Sequence, residues 1–352
     1  MTKTTEIPNP TAFRPFRPFC HYAPTLALAF GFLAAGATAK DCVVYEGQSG
    51  PGNGKHIVFL SGDEEYRSEE GLPMLAKILA TRHGFKCTVL FSINPTNGTI
   101  DPNMQTNLPG MAALDSADLC VMLLRFRELP DAEMKHFVDY FNRGRPIIAL
   151  RTSTHAFAYD RNKQGAYARF DWRNKEWPGG FGQQVLGDTW VNHHGSHGKE
   201  STRGVINEEF KAHPILRGVN DIWGPTDVYG VVHLPADAKV LVRGQVLSGM
   251  KPTDPPVEGK KNDPMMALVW LREYAVESGK TSRIVTTTMG ASVDLENEGL
   301  RRLLVNACYW SVGLQDGIPT KANVDYVGEY KPTWFGFGKF KPGVKPADWE
   351  LK

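Results

Sequence analysis

Apolar and polar positions follow two alternating rhythms along the first half of this chain. Unbroken apolar runs at His56-Ile57-Val58-Phe59-Leu60-Ser61-Gly62, Lys86 to Ser92, Ala117 to Leu124 and Pro146 to Arg151 are separated by stretches with helical spacing. Runs of this length bounded by glycine and polar residues predict strands buried on both faces. Between the first two, Leu72, Leu75 and Leu79 predict the inner stripe of a helix, with Ser68 as its cap and Glu69 and Glu70 in its first turn, where negative charge is favoured. Pro130 to Asn142 predicts a second helix, with Met134, Phe137, Val138 and Phe141 inward and Pro130 in its first turn. Strands alternating with helices predict right-handed crossovers and hence a doubly wound, mostly parallel α/β sheet.

After residue 156 the rhythm changes. All eight tryptophans lie at 172 or later, and the stretch to about 260 is rich in Gly, Trp and His. Short strands are expected there at 188–193, 202–207 and 238–247, making a β-rich insertion, while Lys251 through Pro264 reads as a loop. Met265 to Glu273 and Arg283 to Met289 predict a hairpin across Glu277-Ser278-Gly279-Lys280. Asp294 is expected to cap a last helix carrying Leu300, Leu303, Leu304, Ala307 and Val312 on its inner side. Residues 315–352 read as an irregular tail whose run Trp334 to Phe340 packs on the body, since so many aromatic side chains are costly to leave in water.

Ligands of parallel α/β sheets bind outside the carboxyl ends of the strands. Four such ends would present Ser61 to Tyr66, Ser92 to Asn94, Arg125 to Glu128 and Arg151 to His155 to one crevice.

The amino terminus has a different character. Arg14, Arg17 and His21 precede the short apolar stretch Thr25 to Gly36 and the small residues Ala37-Thr38-Ala39. That order predicts a secretory signal over 1–39, and so an exported protein, periplasmic or extracellular. As a transmembrane anchor the stretch falls short of the roughly 20 residues a bilayer needs, and no later segment is apolar enough to cross one. Residues 40–54, ending in Gly47-Gln48-Ser49-Gly50-Pro51-Gly52-Asn53-Gly54, read as a flexible linker. The chain holds 40 Lys and Arg against 38 Asp and Glu; residues 1–39 account for Lys3, Arg14, Arg17 and Glu6, so the remainder is formally neutral. Without a basic excess or stripe, no nucleic-acid partner is expected. Cys42, Cys87, Cys120 and Cys308 spell no disulfide framework and read mostly as buried thiols, with a bridge from Cys42 left open.

The densest chemical cluster is Asn192-His193-His194-Gly195-Ser196-His197. Imidazole is the commonest metal ligand, and a catalytic zinc takes three protein ligands with one position open. A divalent ion such as zinc on His193, His194 and His197, completed by Asp227 or His155, is one reading. A loop of hydrogen-bonding histidines is the other, because adjacent His193 and His194 on a strand face opposite ways. Acid–base chemistry could draw on Asp63, Glu64, Glu65, His155, His193 and Asp227, with Arg125 or Arg151 stabilising negative charge on a carbonyl or enolate oxygen. Each carboxylate could equally serve as a cap or ion-pair partner. Ser153 is a weak nucleophile candidate without a Gly-x-Ser-x-Gly elbow, and reads better as a ligand-binding or backbone-capping hydroxyl. Trp172, Trp177, Trp190 and Trp223 could offer faces to a sugar ring or simply fill core.

Several of these segments taken in order resemble the ThuA-like (trehalose-utilisation) family. They are His56 to Gly62, Ile147 to His155, His213-Pro214-Ile215-Leu216-Arg217-Gly218-Val219, Pro225-Thr226-Asp227-Val228-Tyr229, Val269 to Tyr274, Thr286-Thr287-Thr288-Met289-Gly290 and the helix ending Asn306 to Gly313. The resemblance spans about 55–314. It implies a class I glutamine amidotransferase-like (flavodoxin-like) α/β fold and a small-molecule carbohydrate partner, a trehalose-like glycoside or keto-sugar. Matched to the family, His155, Asp227 and Tyr229 are the expected catalytic positions, with Arg151 beside them. Asp63, Glu64, Arg125, Ser153, Trp190 and Trp223 are the expected substrate contacts. Ala291 departs from the histidine the family commonly carries after Gly290. Amidotransferase chemistry itself is not expected, because no cysteine follows the Ile147 to Leu150 strand. The expectation is a sugar-processing hydrolase, isomerase or lyase with His155 and Asp227 as the proton-handling pair; the alternative is a non-catalytic carbohydrate-binding envelope protein.

Overall fold

A computed structural model describes residues 41–47 and 49–351, which fall within one compact unit. The signal expected over 1–39 lies outside the described residues. A ten-stranded sheet runs in the order β1-β3-β2-β4-β5-β10-β9-β8-β6-β7. Its strands are β1 (Cys42–Tyr45), β2 (His56–Gly62), β3 (Lys86–Phe91), β4 (Leu119–Leu124), β5 (Ile147–Leu150), β6 (Thr202–Ile206), β7 (Ile222–Gly224), β8 (Lys239–Val246), β9 (Met266–Ala275) and β10 (Thr281–Thr287). β3, β2, β4, β5 and β10 are mutually parallel. β1 closes one edge antiparallel, and β9, β8, β6 and β7 extend the other. The β-rich insertion and the hairpin therefore join the doubly wound sheet itself, making it mixed.

Both faces of the sheet are covered, which is why β4 and β5 are apolar at every position, as β2 is from Ile57 to Leu60. Ile57 and Phe59 of β2 face a core shared with α1 (Ser68–His83) and α3 (Glu298–Ser311). Val58 and Leu60 face the second core, under α2 (Asp131–Asn142). The chain leaves β2 for β3 on one side and crosses back to β4 on the other, so the strand order reverses between β2 and β4. The loops after these strands open the crevice where such folds bind ligands. Among the described residues no helix is long and apolar enough to cross a membrane.

Several local expectations need correction. Residues 42–45, within the stretch read as a flexible linker, are an edge strand in register with β3, Cys42 opposite Leu90; the glycine-rich run that follows had masked it. Ser68 does not cap α1. Arg67 occupies the cap position in a left-handed conformation (φ 57°), and Ser68 Oγ accepts instead from the Asp63 N–H and the Ser61 hydroxyl. Asn297, not Asp294, caps α3 by accepting from the Leu300 N–H at 2.8 Å. Asp294 is buried one turn earlier, where it receives the Gly290 and Ala291 N–H groups and the Thr226 hydroxyl. Residues 188–193 form no strand beyond a single bridge between His193 and Tyr229. Cys42, Cys87, Cys120 and Cys308 are buried free thiols. In the tail Phe335 is buried, whereas Trp334 and Phe337 stay 45% and 60% exposed.

Candidate functional site

Arg151 organises the crevice. It follows β5 directly and turns the chain with a positive φ of 38°, a conformation unfavourable for a residue with a Cβ. The turn drives its guanidinium under the sheet edge, fully buried, 4.1 Å from the ring centre of Tyr66 and 4.3 Å from that of Tyr229. Nη1 donates to the carbonyls of Thr288 (2.9 Å) and Asp227 (3.2 Å), and Nη2 to Tyr66 Oη (3.1 Å) and Asp227 Oδ1 (3.0 Å). One side chain thus ties together the segments after β2, β5, β7 and β10.

Asp227 is 1% exposed. Burial alone would raise its carboxyl, but Arg151 and the hydrogen bonds from His193 and His197 outweigh burial and hold it well below the usual carboxylate range. His193 Nδ1 lies 2.7 Å from Oδ2, and His197 Nδ1 lies 3.0 Å from Oδ1. An ionised carboxylate only accepts, so in each neutral ring the proton sits on Nδ1 and the Nε2 lone pair is free. The two imidazoles are partly exposed, with side-chain accessibilities of 35%, and their centres are 4.7 Å apart. His193, His197 and Asp227 are close enough together to hold a divalent metal ion.

His194 does not belong to this group. Its Nε2 is directed to the Lys261 carbonyl at 2.8 Å. The expected His193, His194 and His197 set is therefore corrected to His193 and His197 with a carboxylate.

His155 does not pair with Asp227. Its ring is packed against Phe126, Trp172, Trp190 and Tyr229, and Nδ1 meets Thr154 Oγ1 at 3.2 Å. Burial first, then Arg125, Arg151 and His193, hold the imidazole well below its ordinary pKa, so it is neutral. As pH falls below about 6.5 the unfolded chain takes up a proton that folded His155 refuses, and stability is lost with acidification. His155→Leu removes this contribution. The stability of the parent relative to the variant should fall, by on the order of 1 kcal/mol, between pH 7.5 and pH 5.5, as measured by urea unfolding. A constant difference across that range would refute the assignment.

The remaining candidates differ in what holds them. Asp63 is committed to the local turn: Oδ1 accepts the Glu65 and Tyr66 N–H groups and Oδ2 the Thr152 hydroxyl. Ser153 is a strut, donating to the Met122 carbonyl (2.9 Å) and accepting from the Leu124 N–H (3.1 Å), so neither a nucleophilic nor a substrate-binding role fits it. Trp223 is also outside the cluster, its indole N–H directed to Ser201 Oγ. Glu64 is neutralised between Arg125 and Arg127, the latter at 2.7 Å, which leaves it no free oxygen for a ligand. Arg125, Tyr229 and Trp190 do border the crevice: Arg125 lies between the rings of Phe126 and Phe337, and Trp190 stands against His155 and His193. Ala291 is fully buried in a small apolar cluster with Tyr66, Val293 and Phe335.

Two contributions were not among the expected site residues. Glu65, which had counted only as one acid–base candidate, places Oε1 3.6 Å from His197 Nε2 and Oε2 3.7 Å from Arg125 Nε. Burial first, and the neighbouring Asp63, raise its carboxyl above the ordinary value despite Arg125. Phe335 of the tail lies 5.3 Å from the His197 ring and 5.7 Å from Tyr66. The unusual aromatic density of Trp334 to Phe340 was the only signal of this contact. A depression at the opposite ends of the strands, lined by Lys55, Asp118, Arg143, Arg145 and Lys280, gathers basic side chains but no histidine or aromatic ring.

The chain is therefore a doubly wound α/β protein with a histidine–carboxylate cluster at the carboxyl edge of its parallel strands. No family model and no curated protein matches it. Among solved structures, a protein described as ThuA-like from Bacteroides uniformis is 16% identical, covering 75% of this chain and 93% of its own, with a TM-score of 0.46. Another so described, from Parabacteroides merdae, is 13% identical, covering 73% and 90%, with a TM-score of 0.48.

Proposed function

We propose that the protein is an exported sugar-processing enzyme that moves a proton on a trehalose-like glycoside or keto-sugar, in hydrolysis, isomerisation or elimination. The observation that carries this reading is Asp227, buried and ionised, orienting both His193 and His197 through Nδ1 so that their Nε2 atoms face the open crevice. A neutral imidazole fixed in one tautomer by a carboxylate is a competent general base, and its protonated form a competent acid. The Trp190, Trp172 and Phe126 faces beside it supply apolar surface of the kind a sugar ring stacks on, while Arg125 offers a positive charge to a developing enolate. A divalent ion held by His193 and His197 would take up those same Nε2 lone pairs, and would then act by polarising a substrate carbonyl in place of the imidazole base.

The test is turnover of a keto-derivative of trehalose by the mature chain. Loss of about 10²–10⁴-fold in kcat/KM in His193→Ala, with an unchanged melting temperature, is the expected result. Thermal stabilisation by the sugar without turnover in the parent would replace the enzyme by a carbohydrate-binding protein. Neither turnover nor stabilisation would end the carbohydrate reading.

A further inference from the structure

We infer that Phe337, carried on the tail, is a specificity-determining residue of this crevice: its exposed ring receives the second sugar unit of a two-ring glycoside whose first unit lies against His193 and His197. The inference rests on the carbohydrate function proposed above, and it narrows the substrate to a glycoside of at least two rings.

The side chains bordering the crevice form a closed circuit, each beside the next. The Arg125 guanidinium lies 4.3 Å from the centre of the Phe126 ring, Phe126 lies 5.6 Å from Trp172, and Trp172 lies 6.2 Å from Trp190. Trp190 then stands 5.9 Å from His193, His193 4.7 Å from His197, and His197 5.3 Å from Phe335. Two residues on, the centre of the Phe337 ring lies 5.0 Å from the Arg125 guanidinium and closes the circuit. The tail thus bridges a gap that the α/β body leaves between His197 and Arg125. Both imidazoles that carry the proposed chemistry belong to the same rim as Phe337.

Hydrogen bonds from two loops hold the tail in this place. Glu70 accepts the Thr333 N–H at 2.6 Å and the Thr333 hydroxyl at 2.7 Å, while the Ser292 hydroxyl donates to the Thr333 carbonyl at 3.2 Å. The Gly336 N–H donates to the Glu65 carbonyl at 2.8 Å, and the Gly336 carbonyl accepts from Arg67 Nη2 at 3.2 Å. A segment fixed in this way presents its rings with little ordering entropy left to lose on binding. Packing accounts for Phe335, which is 3% exposed in the cluster with Tyr66, Ala291 and Val293. It does not account for Phe337, which Arg125 braces and which is still 60% exposed. An apolar ring held in water at the rim of a polar site is the pattern of a ligand-binding surface, and the C–H face of a pyranose is a matching occupant. Among the described residues Phe337 makes no ring contact with either imidazole. A sugar unit engaged with His193 and His197 therefore leaves the Phe337 face to the next unit. Trp334 is also exposed, but its ring stacks on Phe335 and is no link of the circuit.

The experiment compares the keto-derivative of trehalose with that of methyl α-glucoside, which has the same first ring and no second one. Affinities of the purified mature chain are measured by calorimetric titration, so that the readout does not depend on turnover. The parent is expected to prefer the two-ring sugar, and Phe337→Ala to reduce that preference about 5–10-fold, the loss of one stacked ring. Phe337→Tyr should restore it, and Trp334→Ala should keep the parental preference. Because the Phe337 side chain is mostly exposed, its removal should leave the melting temperature unchanged. An unaltered preference in Phe337→Ala, or an equal loss in Trp334→Ala, would overturn the assignment while leaving the carbohydrate function in place. So would a parent that binds both sugars equally. Binding of neither sugar by the parent would overturn the assignment and the carbohydrate function together.

Discussion

Replacing Asp227 with alanine is expected to cost about 3–5 kcal/mol of folding stability, because it leaves a fully buried guanidinium without its counter-charge. Arg151 has no exposed surface and is enclosed between Tyr66 and Tyr229, so water cannot replace the lost carboxylate. Its hydrogen bonds to the Thr288 and Asp227 carbonyls would remain, and they neutralise no charge. The cost therefore comes from the stranded cation more than from the absent bond. A double variant, Arg151→Met with Asp227→Leu, removes both charges and should recover most of the loss, since hydrophobic replacement of a buried pair is often close to neutral. Urea unfolding of the parent, the single and the double variant decides the matter. A single-variant cost below about 1 kcal/mol would show that the pair is not isolated from solvent.

The same residue shows how far the sequence could be read. The run from Pro146 to Leu150 ending in Arg151 was legible as a buried strand with polar groups at its carboxyl end, because a strand covered on both faces has no polar position to break the run. From that topology the loops at Ser61 to Tyr66 and Arg125 to Glu128 could be placed at the same edge. The direction in which each side chain turns could not be read. His155 and Asp227 carry suitable chemistry for a pair, yet a positive φ at Arg151 sends the guanidinium to Asp227, while the short helical turn behind it carries His155 into the aromatic wall. Side-chain direction here depends on one backbone angle, and no composition signal reports it. The hidden partners are also distant along the chain: Phe335 reaches His197 from the tail, and the Thr288 carbonyl reaches Arg151 from the end of β10. Asp63, Glu64 and Glu65 are consecutive and alike in the sequence. One is held by backbone N–H groups, one by two arginines, and one stands at ion-pair range between a histidine and Arg125.

Trp270→Ala is the second substitution expected to have a large effect, and it connects the sheet to the crevice. Trp270 is fully buried in the middle of β9, and its indole N–H donates to the Leu186 carbonyl at 2.7 Å. Removing so large a buried side chain should cost about 3–5 kcal/mol through lost burial and the cavity left behind. The hydrogen bond adds a directional consequence. Leu186 ends the short helical turn Gly182–Leu186, and Gly187, with φ 107°, then redirects the chain toward Asp188 and Trp190. Asp188 holds the next loop in turn, accepting the His233 N–H at 3.0 Å and meeting His233 Nδ1 at 2.7 Å. A cavity beneath Leu186 should therefore loosen the segment that places Trp190 against His155 and His193. Trp270→Phe separates the two contributions, keeping most of the packing while removing the indole donor. It should cost less than alanine, about 1–2 kcal/mol, for the lost indole donor and the smaller ring, since the Thr286 hydroxyl at 3.4 Å stays on the Leu186 carbonyl. Hydrogen exchange should show faster opening of residues 186–193 in both variants than in the parent. If the alanine variant were destabilised while exchange there kept parental rates, Trp270 would support the sheet alone, and the crevice wall would owe its position to Asp188 and His233.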